Sequence, residues 1–276
     1  MKRLIVAELF KLAKQRKTYY ALASIFIIEG IILLSAYFEG TNIINILLDN
    51  LRKSFYFQGS LLNGNLLQYL VLNTLWFHIP LILMIVVSGM LTAEYKDKTV
   101  QAVMLQPIKK WQWILSKYVV AVIFTIGVVV LLYVTSYWLC KGIFGEGDLV
   151  VYLDGLNFFP AKEAAYRIRW AFIAGSLSML FFAVSSLTMA VLLKDVTTTW
   201  IVCSLFLIVC NLLLKIDLGN TWLNQYAFVK LNDTWQYFFQ FTIPYQTILI
   251  NWWVLVGYIL FTAAAGIFVF NKRDIG

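Results

Sequence analysis

The chain has 276 residues, 61% of them hydrophobic and 13% charged, with a mean hydropathy of +0.79 and a net charge of +8. One histidine and three cysteines are too few for a His-paired metal site or a disulfide framework. The basic excess falls largely in alternate connections between apolar runs, which points to a membrane rather than to nucleic acid.

Residues 2–17 form an amphipathic pattern, with Ile5, Val6, Leu9, Phe10, Leu12 and Ala13 on one face and Glu8, Lys11, Lys14 and Gln15 on the other. A helix lying in the membrane interface is expected here, either as a basic anchor or as a cuff against a cytosolic partner. The run 19–38 is the first predicted span. Six cations (Lys2, Arg3, Lys11, Lys14, Arg16 and Lys17) precede it and no small-residue cleavage site closes it, so it is expected to persist as an anchor. Glu29 is the one ionisable residue near the middle of a span, where an unpaired charge costs roughly 2.5–3.5 kcal/mol. It is either a polar element of a translocation surface or subunit interface, or a protonated glutamate bonded to a neighbouring helix.

A soluble-looking stretch, 39–70, leads to the second span, 71–92. His78, two residues before Pro80, is read as a hydrogen-bonded core residue, the alternative being a proton relay. The connection 94–117 is longer than a turn requires. Val100, Val103 and Met104 recur at helical spacing opposite Gln101 until Pro107 interrupts, so a short surface helix is predicted within a segment 94–106. Trp111 and Trp113 read as interfacial anchors of the third span, 118–140. A Gly-rich, soluble-looking stretch, 141–168, precedes spans 170–193 and 197–214. Asn73, Asn211, Ser176, Ser178, Ser185 and Ser186 are read as helix-packing groups. The segment 215–249 is rich in aromatic residues and is broken by Gly219 and Pro244. It suits short re-entrant or interfacial helices, as an aromatic belt or as a lid over a pathway. The last span is 250–270.

These runs predict an all-α polytopic membrane protein with six transmembrane helices in a single domain. Ile201 to Val209 and Val119 to Val130 are apolar on every face, which excludes the alternation of a β-barrel. The side carrying the N-terminus holds about 14 cations against about five acids, and the other side about eight of each, so both termini are expected to be cytoplasmic. Lys17-Thr18, Lys53-Ser54 and Lys98-Thr99 lack the preceding glycine of a phosphate-cradling loop, so the chain has no ATP-binding motif of that kind. An intramembrane enzyme would need more than Glu29 with His78, and an ion channel a polar stripe that no helix shows.

With this layout the chain resembles the membrane subunits of ABC type-2 exporters, bacterial permeases for drugs, antimicrobial peptides, lipids and polysaccharides. The resemblance rests on three segments: the basic N-terminal helix with Glu8 and Lys11, the loop Glu94 to Lys117 with Thr99 and Pro107, and the tail Phe268-Val-Phe-Asn-Lys-Arg-Asp-Ile275. It implies that residues 2–17 and 94–106 form the surface docked by a separate cytosolic ATPase, with Glu8, Lys11, Glu94, Thr99, Val103, Met104 and Pro107 coupling the two. It further implies short extracellular helices before the last span, a second permease chain, identical or paralogous, and a location in the bacterial cell membrane. ATP and Mg would be bound by the partner subunit, with no cofactor or enzymatic activity in this chain. The unbroken apolar helices favour a hydrophobic or amphipathic cargo, most simply a peptide. Lys98 stands before Thr99 where that family often has glycine.

Overall fold

The computed structural model describes residues 1–52, 61–153 and 155–273, with the side chains of 41–52 set aside. Within it are six helices long and apolar enough to cross a membrane, as the apolar runs predict. A short helix, α1 (Lys2–Lys14), ends where Gln15 turns extended, and the Thr18 hydroxyl donates to the Leu12 carbonyl 2.8 Å away across the break. The chain then enters α2 (Arg16–Arg52), whose spanning part is Arg16–Gly40. The other five are α3 (Gly64–Lys96), α5 (Lys110–Phe144), α6 (Ala161–Leu193), α7 (Val196–Lys215) and α10 (Tyr245–Lys272).

Burial ranks these helices. The most apolar windows of α3 and α6 are 56% and 61% buried, against 17% for α2 and α10 and 22% for α7. In water such exposed apolar faces would drive aggregation. In a bilayer they are the lipid-facing surface, and the two central helices form the core. That core needs close approach at one point: a Cβ on Gly175 of α6 would stand 1.7 Å from the Trp76 ring of α3. Trp76 in turn packs on Trp235 at 5.0 Å between ring centroids.

The helices extend beyond the predicted spans. Lys117, assigned by sequence to a loop, lies inside α5 with no exposed surface. Trp113 is likewise not an interfacial anchor but a buried core residue stacked on Phe270 at 5.3 Å, whereas Trp111 is 43% exposed. The stretch 39–70 is helical to Arg52 and again from Gly64, while 53–60 and the tail from Asp274 lie outside the described residues. Within 141–168 the chain forms an antiparallel hairpin, β1 (Leu149–Tyr152) with β2 (Leu156–Phe159), pairing Leu149 with Phe159 and Tyr152 with Leu156. This local β structure departs from the expected soluble loop.

The segment 215–249 does fold into short helices: α8 (Thr221–Tyr226), α9 (Phe228–Leu231) and a 3-10 turn, Thr234–Phe239, before α10 begins at Tyr245. Arg167, counted by sequence among solvated loop charges, is 5% exposed and clamps this region. Its guanidinium donates to the Phe238 and Gln240 carbonyls, both at 2.8 Å, pairs with Glu163 at 2.7 Å and lies 4.0 Å over the Phe159 ring. Hairpin, 3-10 turn and α6 thus converge on one cation.

Candidate functional site

The charged end of the bundle is assembled from α1, the C-terminal end of α3, the N-terminal end of α5 and the connection between them. α3 stops at Lys96, and Lys98 takes a left-handed conformation (φ 57°) that redirects the chain into α4, Thr99–Met104. Val100 is buried and Val103 and Met104 are half-buried against the core containing Leu91 and Trp113, while Gln101, Ala102 and Leu105 face outward. The predicted surface helix is present with its predicted apolar side. The Thr99 hydroxyl donates to the Glu94 carbonyl at 3.3 Å, and Pro107 is exposed in the loop after α4.

Four side chains from three helices close a ring of alternating charge. Lys117 Nζ stands 2.7 Å from Glu8 Oε2 and 2.9 Å from Glu94 Oε2, and Lys11 Nζ is 2.8 Å from Glu8 Oε1 and 2.9 Å from Glu94 Oε1. The Lys117 ammonium donates hydrogen bonds to Glu8 Oε2 and to the Met90 carbonyl at 3.2 Å, while its contact with Glu94 Oε2 is an ion pair without hydrogen-bond geometry. The Trp113 ring lies 4.6 Å away and adds a cation–π contact. A lone buried ammonium would cost several kcal/mol, so the two carboxylates are a condition of its burial. Lys17 donates to the adjacent Gly89 carbonyl at 2.8 Å, tying the start of α2 to the same turn of α3.

The ring corrects the expected orientation of α1. Glu8, placed by sequence on the solvent face, is buried with Leu12, whereas Val6 and Phe10 from the supposed apolar face are 64% exposed. α1 docks on the bundle through Glu8 and through Leu12, Ile5 and Leu9, which pack with Val86, Met90 and Val120, and it presents Val6 and Phe10 outward together with Lys2, Arg3 and Lys14, as an interfacial helix would. Burial works to raise the Glu8 pKa, but Lys117 and Lys11 outweigh it and hold the carboxyl below its ordinary value of 4.5. Burial likewise works to lower the Lys11 pKa, and hydrogen bonds to Glu8 and Glu94 outweigh it and hold the pKa above 10.5. Glu8 and Lys11 are therefore charged at neutral pH.

The C-terminal segment meets the same end. Arg273 donates to the Val191 and Leu192 carbonyls, the latter at 3.0 Å, capping α6, and Lys110 donates to the Arg273 carbonyl at 3.1 Å. The three segments that carried the family resemblance thus gather at one end of the bundle.

The two membrane-depth candidates have separate surroundings. Glu29 is fully buried, and Thr135 of α5 donates to its Oε2 at 3.0 Å while Oε1 has no partner among the described residues. His78 is hydrogen-bonded to the Thr74 carbonyl at 2.9 Å but is only half-buried, with Phe77 edge-on beside it, so the expectation of a core position is not met. Cys140, Cys203 and Cys210 are buried free thiols. Of the residues read as packing groups, Ser178, Ser185 and Ser186 are buried, whereas Asn73 is exposed. Among the described residues no group of His, Cys, Asp and Glu is arranged to hold a metal.

The charged ring brings two carboxylates and two ammonium groups together. Mechanically it joins α1, α3 and α5 through charge-assisted bonds and displays α4 next to the join. The chain matches no curated protein. Residues 31–276 match a family described as a protein of unknown function (DUF2705), a stretch that includes Glu94 and Lys117 but begins after Glu8 and Lys11, and the chain belongs to that family.

Proposed function

We propose that the chain is the membrane-spanning permease subunit of an ATP-driven exporter of the ABC type-2 kind, in a bacterial plasma membrane, working with a separate cytosolic ATPase and a second permease chain. The observation that carries this reading is the four-charge ring. It makes α1, α3 and α5 one mechanical unit directly beneath α4, whose outer residues Gln101, Ala102 and Leu105 are open to a partner. A push on α4 or α1 from an ATPase that dimerises on ATP reaches two spanning helices without crossing a flexible joint. The bundle then redistributes between two arrangements according to which one the loaded ATPase favours. Cargo is hydrophobic or amphipathic, in keeping with helix faces that offer few polar groups at membrane depth. A peptide fits that chemistry.

The test is recovery of tagged chain from its native membrane in mild detergent, with mass spectrometry of co-purifying proteins. A stoichiometric cytosolic ATPase is expected, and it is lost when Ala102 and Leu105, both exposed, are changed to Asp. A chain that returns alone even after cross-linking rejects the permease reading and favours a channel.

A further inference from the structure

Between α5 and α6 lies a groove of about 400 Å³. On α6 it is lined by Arg169, Phe172, Ile173 and Ser176, spaced as one helical stripe, and on α5 the stripe from Ile126 to Tyr133 repeats that spacing. Two stripes in register are what a packed seam would use. Here the inner members, Val129 and Phe172, are buried, while Val130 and Ile173 remain 54% and 43% exposed, so the outer half of the seam is open. The Ser176 hydroxyl proton is already committed to the Ile173 carbonyl at 2.7 Å, and Tyr133 is the one further lining residue besides Arg169 with a polar side-chain atom.

Charge appears only at one end of the groove. Arg169 is exposed and makes no hydrogen bond or ion pair among the described residues, unlike Arg167 two positions earlier. Its depth is set by helix length. α6 has 33 residues and spans about 50 Å, roughly 20 Å more than the hydrocarbon layer, so about 10 Å projects at each end. Arg169, eight residues into α6, therefore lies near the hydrocarbon boundary on the hairpin side, where headgroup phosphates begin and a guanidinium reaches them. From there the groove descends seven residues, about 10 Å, towards the middle of the membrane. An apolar slot running inward from a cation at headgroup level is complementary to an acyl chain beneath an anionic phosphate.

We propose that this groove holds one acyl chain of an anionic phospholipid, with its phosphate paired to Arg169. The site is separate from the charged ring and does not depend on the proposed transport. The test uses full-length chain equilibrated with an equimolar mixture of phosphatidylglycerol and phosphatidylcholine, with retained lipid counted by native mass spectrometry. Wild type is expected to retain phosphatidylglycerol preferentially. Arg169→Gln should lower that preference about fivefold, the ratio that roughly 1 kcal/mol from one basic residue at an anionic surface represents, and Arg169→Lys should restore most of it. Val130→Trp, which fills the open half of the groove, should abolish retention of both lipids, and neither position is buried enough to threaten folding. Equal retention of the two lipids by wild type, or unchanged preference in Arg169→Gln, would overturn the proposal. So would a dimer that dissociates in Val130→Trp without any lipid adduct, which would give the groove to a second copy of the chain.

Discussion

Replacing Lys117 with Met tests whether the ring holds α1 to the bundle. The substitution keeps most of the length of the side chain and removes the ring's one fully buried charge. It leaves two carboxylates facing each other with Lys11 as their remaining counter-ion, and Glu8 is 4% exposed, so water cannot replace what is lost. Removing one partner of a buried ion pair costs about 3–5 kcal/mol, and because Lys11 still bridges both acids the lower end, about 3 kcal/mol, is expected. Lys11→Met makes the contrast. That side chain is 45% exposed, and its loss should cost no more than about 1 kcal/mol. Hydrogen exchange of the α1 amides reads the difference as undocking. At about 1.4 kcal/mol per decade, Lys117→Met should speed exchange about a hundredfold and Lys11→Met fivefold or less. Glu8→Gln added to Lys117→Met should recover part of the loss, because it removes one stranded charge. Equal effects of the two lysine variants, or unchanged exchange in Lys117→Met, would refute the reasoning.

The ring also fixes a pH window. The folded pKa of Glu8 lies below 4.5, so its contribution is complete above that value and is lost as pH falls through the lower folded value. The folded pKa of Lys11 lies above 10.5, so its contribution is complete below that value and is lost as pH rises through the higher one. Spin labels on cysteines replacing the exposed Arg3 and Leu105 should therefore keep a narrow separation across neutral pH and broaden only at the two extremes. Gly175→Ala should destabilise the bundle by about 3 kcal/mol, by driving Trp76 off its seat, whereas Gly127→Ala, whose Cβ meets nothing within 4 Å, should be neutral or stabilising by up to about 1 kcal/mol; thermal unfolding in detergent separates them. Lys98→Gly should stabilise by about 0.5–1 kcal/mol in the same assay, since φ 57° strains any residue with a Cβ. Arg167→Gln should raise exchange in residues 234–241 while leaving α1 unaffected, because the clamp and the ring share no residue and no direct contact.

The six spans were legible because helices that cross a membrane are apolar over about 20 residues whether they face lipid or the core. Their ends were not, because hydropathy counts a lysine or arginine as solvated wherever it stands. Lys117 and Arg167 are buried by partners that come from distant segments: Glu8 and Glu94 for the first, the carbonyls of Phe238 and Gln240 for the second. Two local signals did exist. Trp113 precedes Lys117 by four residues, so both share a helix face, and Glu163 stands in the same relation to Arg167. The hairpin was also readable, since Asp154-Gly155 sits between the β-forming runs Leu-Val-Val-Tyr and Leu-Asn-Phe-Phe. The face of α1 was legible only in part: Ile5, Leu9 and Leu12 pack inward as an apolar face should, but Glu8 turns inward with them because the bundle also offers an ammonium ion. Thr99, Val103 and Met104 fell where expected, because a short helix with one apolar side needs no long-range information to be read.

The four ring charges sum to zero, and that bears on membrane voltage. Moving one elementary charge through a 100 mV potential involves about 2.3 kcal/mol, so a displaced helix end carrying Lys117 alone would be driven or resisted by the field. With Glu8, Glu94 and Lys11 travelling alongside, displacement of the ring as a unit involves almost no electrical work. Its position is then set by contacts at that end of the bundle and by packing, whatever the membrane potential.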